Sequence, residues 1–247
     1  MPIKLSKIST RAPKKLDKEK TKAQTQKLLI DLDELQNLFF ASQKKALLIV
    51  VQGMDASGKD GVVANVFGAF NPMGIRVVSF KKPTEEEMAH DFLWRIHANA
   101  PRKGMIQVFN RSHYEDILIQ RVHQWIDENT VKQRMQQINH FEEMLEQNGT
   151  KVMKFYLHIS HEEQLERLTE RMNTPEKNWK YNAQDLEESK LWDAYMKAYE
   201  EAIDKCSAKI PWQIIPADQN WYKEFLIASE VVKYLKSLKM SYTSLNK

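Results

Sequence analysis

The sequence predicts an α/β domain of three layers, a parallel five-stranded sheet between helices, with a helical lid over one end. Three observations carry this reading. Short runs rich in apolar residues at 46–51, 75–80, 105–109, 151–159 and 212–215 alternate with longer stretches of helical periodicity. The first run leads through Gly53-Met54-Asp55-Ala56-Ser57-Gly58-Lys59-Asp60 into a helix-compatible stretch. Polar motifs follow the second and third runs, at the carboxyl ends of strands, where open α/β sheets bind ligands.

Length and composition narrow the class. At 247 residues the chain has room for one sizeable core. We read residues 16–247 as a single domain, with a lid at about 167–190, and residues 1–15 as a basic N-terminal arm. Cys206 is the only cysteine, so an intrachain disulfide is excluded and a reducing, cytoplasmic setting is expected. With no cysteine-centred motif around it, Cys206 reads as a buried thiol rather than a reactive one. The N-terminus has no apolar signal region, and no apolar run approaches the roughly 18 residues needed to span a bilayer, so no membrane partner is expected. The net charge is +4, but lysines and arginines crowd the first 27 residues, opposed there only by Asp17 and Glu19. That stretch reads either as a surface for polyanions or as a solvated tail.

Each element has its own signature. Residues 16–40 repeat apolar side chains at helical spacing (Leu28, Leu32, Leu35, Leu38, Phe39). The run 46–51 is almost wholly apolar, as suits a parallel strand covered on both faces. The helix after the loop is broken at Asn71-Pro72-Met73-Gly74. Thr84 is placed to cap a helix over 85–99. A break at Pro101–Gly104 precedes the third strand, and residues 130–147 form a helix ended by Asn148-Gly149. Ser160 with Glu163 makes a capping-box pattern for a helix over 160–172. Residues 185–206 carry a core stripe, Asp218-Gln219-Asn220-Trp221 forms a turn and cap, and 221–238 closes the chain as an amphipathic helix. Repeats, low-complexity tracts and zinc-type spacings are lacking.

The chemistry gathers at the strand ends. In the first loop Gly53 and Gly58 let the backbone curl around an anion, with Ala56, Ser57 and Gly61 contributing N–H groups and Lys59 reaching the outer phosphates. Asp60 stands where such loops usually place Ser or Thr, and Asp55 lies inside the loop. Carboxylates beside phosphates repel by roughly 4 kcal/mol per pair of unit charges at about 4 Å and an effective dielectric near 20. A divalent cation is therefore implied, with Asp55, Asp60 and Asp116 as candidate ligands. Lys81, Lys82 and Thr84 follow the second strand and suit an acceptor phosphate. After the third strand comes Asn110-Arg111-Ser112-His113-Tyr114-Glu115-Asp116, where Arg111 offers a bidentate fork for phosphate oxygens. His113 reads as a packed aromatic rather than an acid–base group. Arg167 and Arg171 share one helix face, and the polar, aromatic stretch 173–180 with Lys177 and Lys180 reads as a mobile cover bringing these cations over the phosphates.

The loop Gly53–Asp60, the Lys82-Pro83-Thr84 turn, the run Phe109–Asp116 and the cover near Trp179-Lys180 together resemble the family-2 polyphosphate kinases, from about Leu28 to Tyr234. The resemblance implies a P-loop kinase-like fold with a helical lid, a homodimer or homotetramer, and reversible transfer of phosphate between inorganic polyphosphate and nucleotides. It implies magnesium, with manganese as a substitute. Adenine nucleotides are the expected acceptors, with guanine nucleotides as a further class; nucleic acid is not expected. By the same resemblance Asp55 organises metal and acceptor phosphate, Lys59 neutralises phosphate, and Arg111 and Arg121 match family arginines. Many members carry Asp where this chain has Asn110, while Glu115-Asp116 resembles the class III subgroup, whose members phosphorylate nucleoside mono- and diphosphates alike. Two rival readings remain open at this level: a nucleoside monophosphate kinase with ATP as donor, and a non-catalytic polyanion- or RNA-binding protein.

Overall fold

The computed structural model of the protein describes residues 2–242. Its sheet is fully parallel, in the order β2-β3-β1-β4-β5, built from β1 (Ala46–Gly53), β2 (Ile75–Ser79), β3 (Ile106–Asn110), β4 (Thr150–His158) and β5 (Trp212–Pro216). The five strands and their direction agree with the sequence reading. β1 is buried along its whole length, as its apolar run predicts for the central strand between β3 and β4. The chain leaves β1 toward β2 on one side and β3 toward β4 on the other, so the crevice where a ligand is expected opens above β1 and β3. The register Val51↔Asn110 puts the ends of those two strands side by side.

Helices cover both faces of the sheet. α1 (Lys18–Ser42) packs along α10 (Asn220–Ser237), with α2 (Lys59–Asn65) beside α10. α6 (Glu128–Gln147) lies on β4, and α9 (Trp192–Lys205) packs against α5 (Ile119–Val122). α7 (His161–Asn173), a 3-10 turn at Pro175–Lys180 and α8 (Ala183–Ser189) form the segment expected to be the lid. One apolar core, running from Leu5 and Leu32 through the strands to Leu235, joins the layers.

Three elements differ from their sequence readings. The helix expected over 85–99 is two short ones, α3 (Glu85–Ala89) and α4 (Trp94–His97), because His90 leaves the helix to stack on Trp94 and Asp91 caps Leu93 N–H at 2.9 Å. Ser160 does cap α7 through Glu163 N–H. The reciprocal half of that capping box is missing, because Asp218 takes Ser160 N–H at 2.8 Å and Glu163 turns to Arg167 at 2.9 Å. At the start of α10 the turn is present, but Gln219 makes no side-chain cap.

Residues of the basic arm lie against the domain. Leu5 is fully buried, its N–H donates to Glu200, and the carbonyls of Leu5 and Ile8 accept from His158 Nε2. Thr10 and Arg11 donate to the buried carboxylate of Asp218. Among the described residues no helix is long and apolar enough to cross a membrane.

Candidate active site

The loop between β1 and α2 turns through two left-handed residues, Ala56 (φ 59°) and Gly58 (φ 91°). An alanine in this region is strained by about 1–2 kcal/mol, and strain of this kind gathers at ligand-binding turns. Lys59 is 8% exposed; its Nζ donates to the carbonyls of Gly53 (2.8 Å) and Met54 (3.0 Å), bending over the loop. Burial first, and the Arg111 charge second, bring its pKa down to about 8, against the opposing pull of Asp55, Glu115 and Asp60. The ammonium therefore sits where the folded chain supplies too little negative charge, which a bound anion would correct.

Facing the loop is the carboxyl end of β3. Arg111 also adopts a left-handed backbone (φ 63°), anchored by its N–H on Val51 O at 3.1 Å. That turn aims its guanidinium at Asp55 Oδ1 (2.6 Å), with Glu115 Oε2 at 3.8 Å. Burial works against the charged guanidinium, but Glu115 and Asp55 more than reverse that, so it stays cationic. Asn110 Nδ2 donates to Asp60 Oδ1 at 2.8 Å. An aspartate at 110 would press two carboxylates together there, which gives a physical reason for the amide in this chain.

The loop, the strand ends and the segment from α7 to α8 line a cleft of about 980 Å³. Its lining includes Asp55, Ala56, Gly58, Lys59, Asp60 and Gly61 from the loop, Lys81 and Lys82 after β2, Asn110, Arg111, Glu115 and Asp116 after β3, and Arg171 and Lys180 from the lid. Cations from four separated segments thus meet in one hollow. A family model described as polyphosphate kinase 2 (PPK2) matches residues 15–243. The chain belongs to the polyphosphate kinase 2 family.

Its relatives in that family span most of its length. It is 48% identical over 212 residues to the AMP/ADP-polyphosphate phosphotransferase of Meiothermus ruber, covering 85% of this chain and 79% of that one. It is 44% identical over 224 residues to the ADP-polyphosphate phosphotransferase of Rhodopseudomonas palustris, with 85% and 78% covered. The crystal structure of polyphosphate kinase 2 from Arthrobacter aurescens TC1 superposes with a TM-score of 0.96 at 39% identity, over 99% of this chain and 89% of that one.

Several residues singled out by sequence stand away from this cleft or are engaged elsewhere. Arg121 is held by Glu128 at 2.6–2.7 Å and Glu201 at 2.8 Å. Arg167 lies behind the loop, donating to Ala56 O, Ala217 O and Asp218 O at 2.8–3.0 Å. Lys177 pairs with Glu170 on the lid at 2.5 Å. Thr84 caps α3 in a complete capping box with Glu87. Gly53 and Ser57 are part of the loop but do not line the cleft, and the buried Ser57 Oγ has no partner. Asp116 lines the cleft but is only 3% exposed; its Oδ1 accepts from Gln120 Nε2 and Arg95 lies 3.7 Å away. Burial pushes its carboxyl up to about 6 against the pull of Arg95 and Arg134.

His113 is a packing residue, as read from sequence: it is buried against Phe141 and Tyr114, with Nε2 on Glu142. That contact belongs to a buried cluster in which Glu142 also accepts from Tyr114 OH (2.9 Å) and Lys154 Nζ (2.6 Å). The cluster anchors the 3-10 turn His113–Ile117, which carries Glu115 and Asp116. Sequence reasoning missed it because its members lie on a turn, a helix and a strand far apart in the chain. It also missed Asp185, whose carboxylate pairs with Arg171 at 3.0 Å in the cleft wall, and Trp125, a cleft-lining indole that is 65% exposed; Trp179, part of the cover read from sequence, lines the cleft too and is 78% exposed. Bulky indoles left in water at a cleft mouth are a signal only once the fold is known.

Proposed function

We propose that the protein transfers the terminal phosphoryl group of inorganic polyphosphate to AMP and ADP, reversibly, with guanine nucleotides as further acceptors. An oxygen of the acceptor's terminal phosphate attacks the end phosphorus of the polymer. The P–O–P bond to the next phosphate breaks, and the shortened polymer leaves with the bonding pair. The observation that carries the proposal is the convergence of Lys59, Arg111, Arg171, Lys180, Lys81 and Lys82 on one cleft in a chain of this family. The names of its relatives support polyphosphate as donor and adenine nucleotides as acceptors.

In this reading Lys59 and Arg111 neutralise the transferring phosphates and Arg171 and Lys180 cover them. Most of the rate comes from alignment and charge compensation, because phosphoryl transfer asks little covalent chemistry of a protein. Lys81 and Lys82 hold the acceptor phosphate, and Glu115 extends the acceptor range to monophosphates. Magnesium is the expected cation. Among the described residues no three His, Cys, Asp or Glu side chains form a ready cage, which suits an ion held by one or two carboxylates together with substrate phosphates. Asp55 and Asp60, cleft-lining carboxylates with only oxygen donors to offer, are the residues that would hold it. When bound, it would offset charge on the phosphates flanking the broken bond. Asp116, deep and already beside Arg95, serves this role less directly. A cytoplasmic homo-oligomer completes the proposal.

The test is product analysis with magnesium and polyphosphate against AMP, ADP, GMP and GDP in turn, beside ATP plus AMP. Formation of ADP and ATP from AMP and polyphosphate is expected, and loss of at least a hundredfold in turnover for Lys59→Met and Asp55→Asn. Activity confined to ATP as donor, or near-normal turnover in those variants, would overturn it.

A further inference from the structure

Each carbonyl of the loop from Gly53 to Gly58 accepts from a side chain. Lys59 takes those of Gly53 and Met54, Gln164 Nε2 takes Asp55 O at 3.0 Å, and Arg167 takes Ala56 O at 3.0 Å. Ser57 O accepts from Lys223 Nζ at 3.1 Å, and Gly58 O is shared between the Val62 N–H of α2 at 3.1 Å and Lys223 Nζ at 3.4 Å; Lys223 also donates to Asn220 Oδ1 at 2.9 Å.

Lys223 is an unusual choice for its position. It sits in the first turn of α10, against the positive end of the helix dipole, and it is 1% exposed. Its partners are uncharged oxygens. Burial first, then Arg167, bring its pKa down to about 7; Lys59 acts in the same direction, while Glu224 and Glu163 oppose. A methionine would fill the same space without that cost, so the ammonium has to be explained by what it touches. It also sets the loop's sequence: a Cβ at position 58 would stand 2.1 Å from Lys223 Nζ, quite apart from the left-handed φ.

We propose that Lys223 is a positioning residue for phosphate binding, fixing from behind the loop the two peptide units whose N–H groups belong to Gly58 and Lys59. A trans peptide points its N–H opposite to its C=O. Holding the carbonyls of Ser57 and Gly58 toward α10 therefore turns the Gly58 and Lys59 N–H groups away from it, toward the cleft. A cation on each carbonyl also polarises its peptide and makes the N–H a stronger donor. The inference rests on the reading of the cleft as a phosphate site and adds a residue that never touches the phosphate.

The probe is inorganic tripolyphosphate, titrated with magnesium present by calorimetry and followed by the amide resonances of the ¹⁵N-labelled protein. In the wild type the Gly58 and Lys59 amides shift on titration. In Lys223→Met those two amides move upfield before any ligand is added. Tripolyphosphate then binds about tenfold more weakly, and the KM for polyphosphate rises about as much while the KM for AMP stays within twofold. Lys223→Gln, which keeps a donor without the charge, falls between. A merely structural lysine would lower the melting temperature and leave the affinity of the folded protein within twofold, and that result overturns the proposal. So does a wild type that binds tripolyphosphate without moving those two amides, a comparison that needs no variant to fold. A wild type that fails to bind tripolyphosphate removes the phosphate reading itself.

Discussion

Lys154→Met is expected to destabilise the protein by about 3–5 kcal/mol, the usual cost of stranding one member of a buried ion pair. For a chain of this length that is a fall of roughly 6–20 °C in melting temperature. Glu142 is 1% exposed, and Lys154 supplies the shortest of its three hydrogen bonds, at 2.6 Å, beside Tyr114 and His113. Burial alone would push its carboxyl up from the usual 4.5, but Lys154 first and His113 next more than reverse this, leaving it below that value. A depressed carboxyl contributes stability that is present above 4.5 and lost as pH falls through the folded value. Without Lys154 the burial effect dominates and the carboxyl rises, so the variant loses stability as pH increases. The gap between wild type and variant should then be widest near neutral pH and narrow toward pH 4. Denaturation at pH 7.5 and pH 5, with Glu142→Gln added to remove the stranded charge, checks this. The double variant should regain more than half of the loss, and the single variant should also lose activity at 25 °C, since the cluster anchors the turn bearing Glu115 and Asp116. A loss under about 1 kcal/mol at pH 7.5, or additive effects in the double variant, refutes the reasoning.

Three further outcomes follow from single contacts. Asn110→Asp faces Asp60 Oδ1 across 2.8 Å; without magnesium it should be less stable by about 1–2 kcal/mol, the repulsion of two unit charges at this range in a water-like dielectric, since Asp60 is exposed, and it should regain most of that when magnesium is added, read by paired melts. Arg121→Ala should leave the KM for polyphosphate within twofold, because its guanidinium is spent on Glu128 and Glu201, whereas a phosphate ligand would raise it tenfold or more. His158 lies below its usual 6.5, chiefly through burial, while its bonds to the carbonyls of Ile8 and Leu5 oppose. Its share of stability is full above 6.5 and declines as pH falls through that value, so acid denaturation curves of His158→Gln, which keeps a donor toward the arm, should be flatter between pH 7 and pH 5.

The parts of the molecule legible in sequence were those whose cause is local. The buried run Ala46–Val51, the glycines of the loop and the Thr84 cap each state their geometry within a few residues. The strand-end position of Arg111 could be read the same way. What could not be read depends on partners distant in the chain. Arg167 and Arg171 share a helix face, yet α7 is rolled so that Arg167 serves the carbonyls behind the loop while Arg171 enters the cleft. Arg121 carries the same charge as a phosphate ligand and is already neutralised by two glutamates. A sequence gives the charge of a side chain and not its partner, and at a site built from cations that difference decides the assignment.

The same consideration explains how so many cations can share one cleft. Arg111 pairs with Asp55 at 2.6 Å and Arg171 with Asp185 at 3.0 Å, so each guanidinium of the cleft wall already has a carboxylate partner. Lys59 has only carbonyls for hydrogen-bond partners, and burial, then the Arg111 charge, bring its pKa down to about 8. A polyphosphate chain that takes both arginines displaces two carboxylates, and Asp55 is then a free oxygen donor beside the phosphates, the kind a divalent cation uses. Polyanion and cation each supply the partner that the other's arrival removes. On this account neither should bind well alone, and their affinities should rise together, by the same factor in each direction. Calorimetric titration of tripolyphosphate with and without magnesium, and of magnesium with and without tripolyphosphate, corrected for the complex the two form in solution, measures that factor. In Asp55→Asn, where Arg111 has lost its resting carboxylate, the coupling should fall by about tenfold even though tripolyphosphate alone binds no more weakly. Coupling that survives in that variant would mean that the exchange at Asp55 is not what links the two ligands.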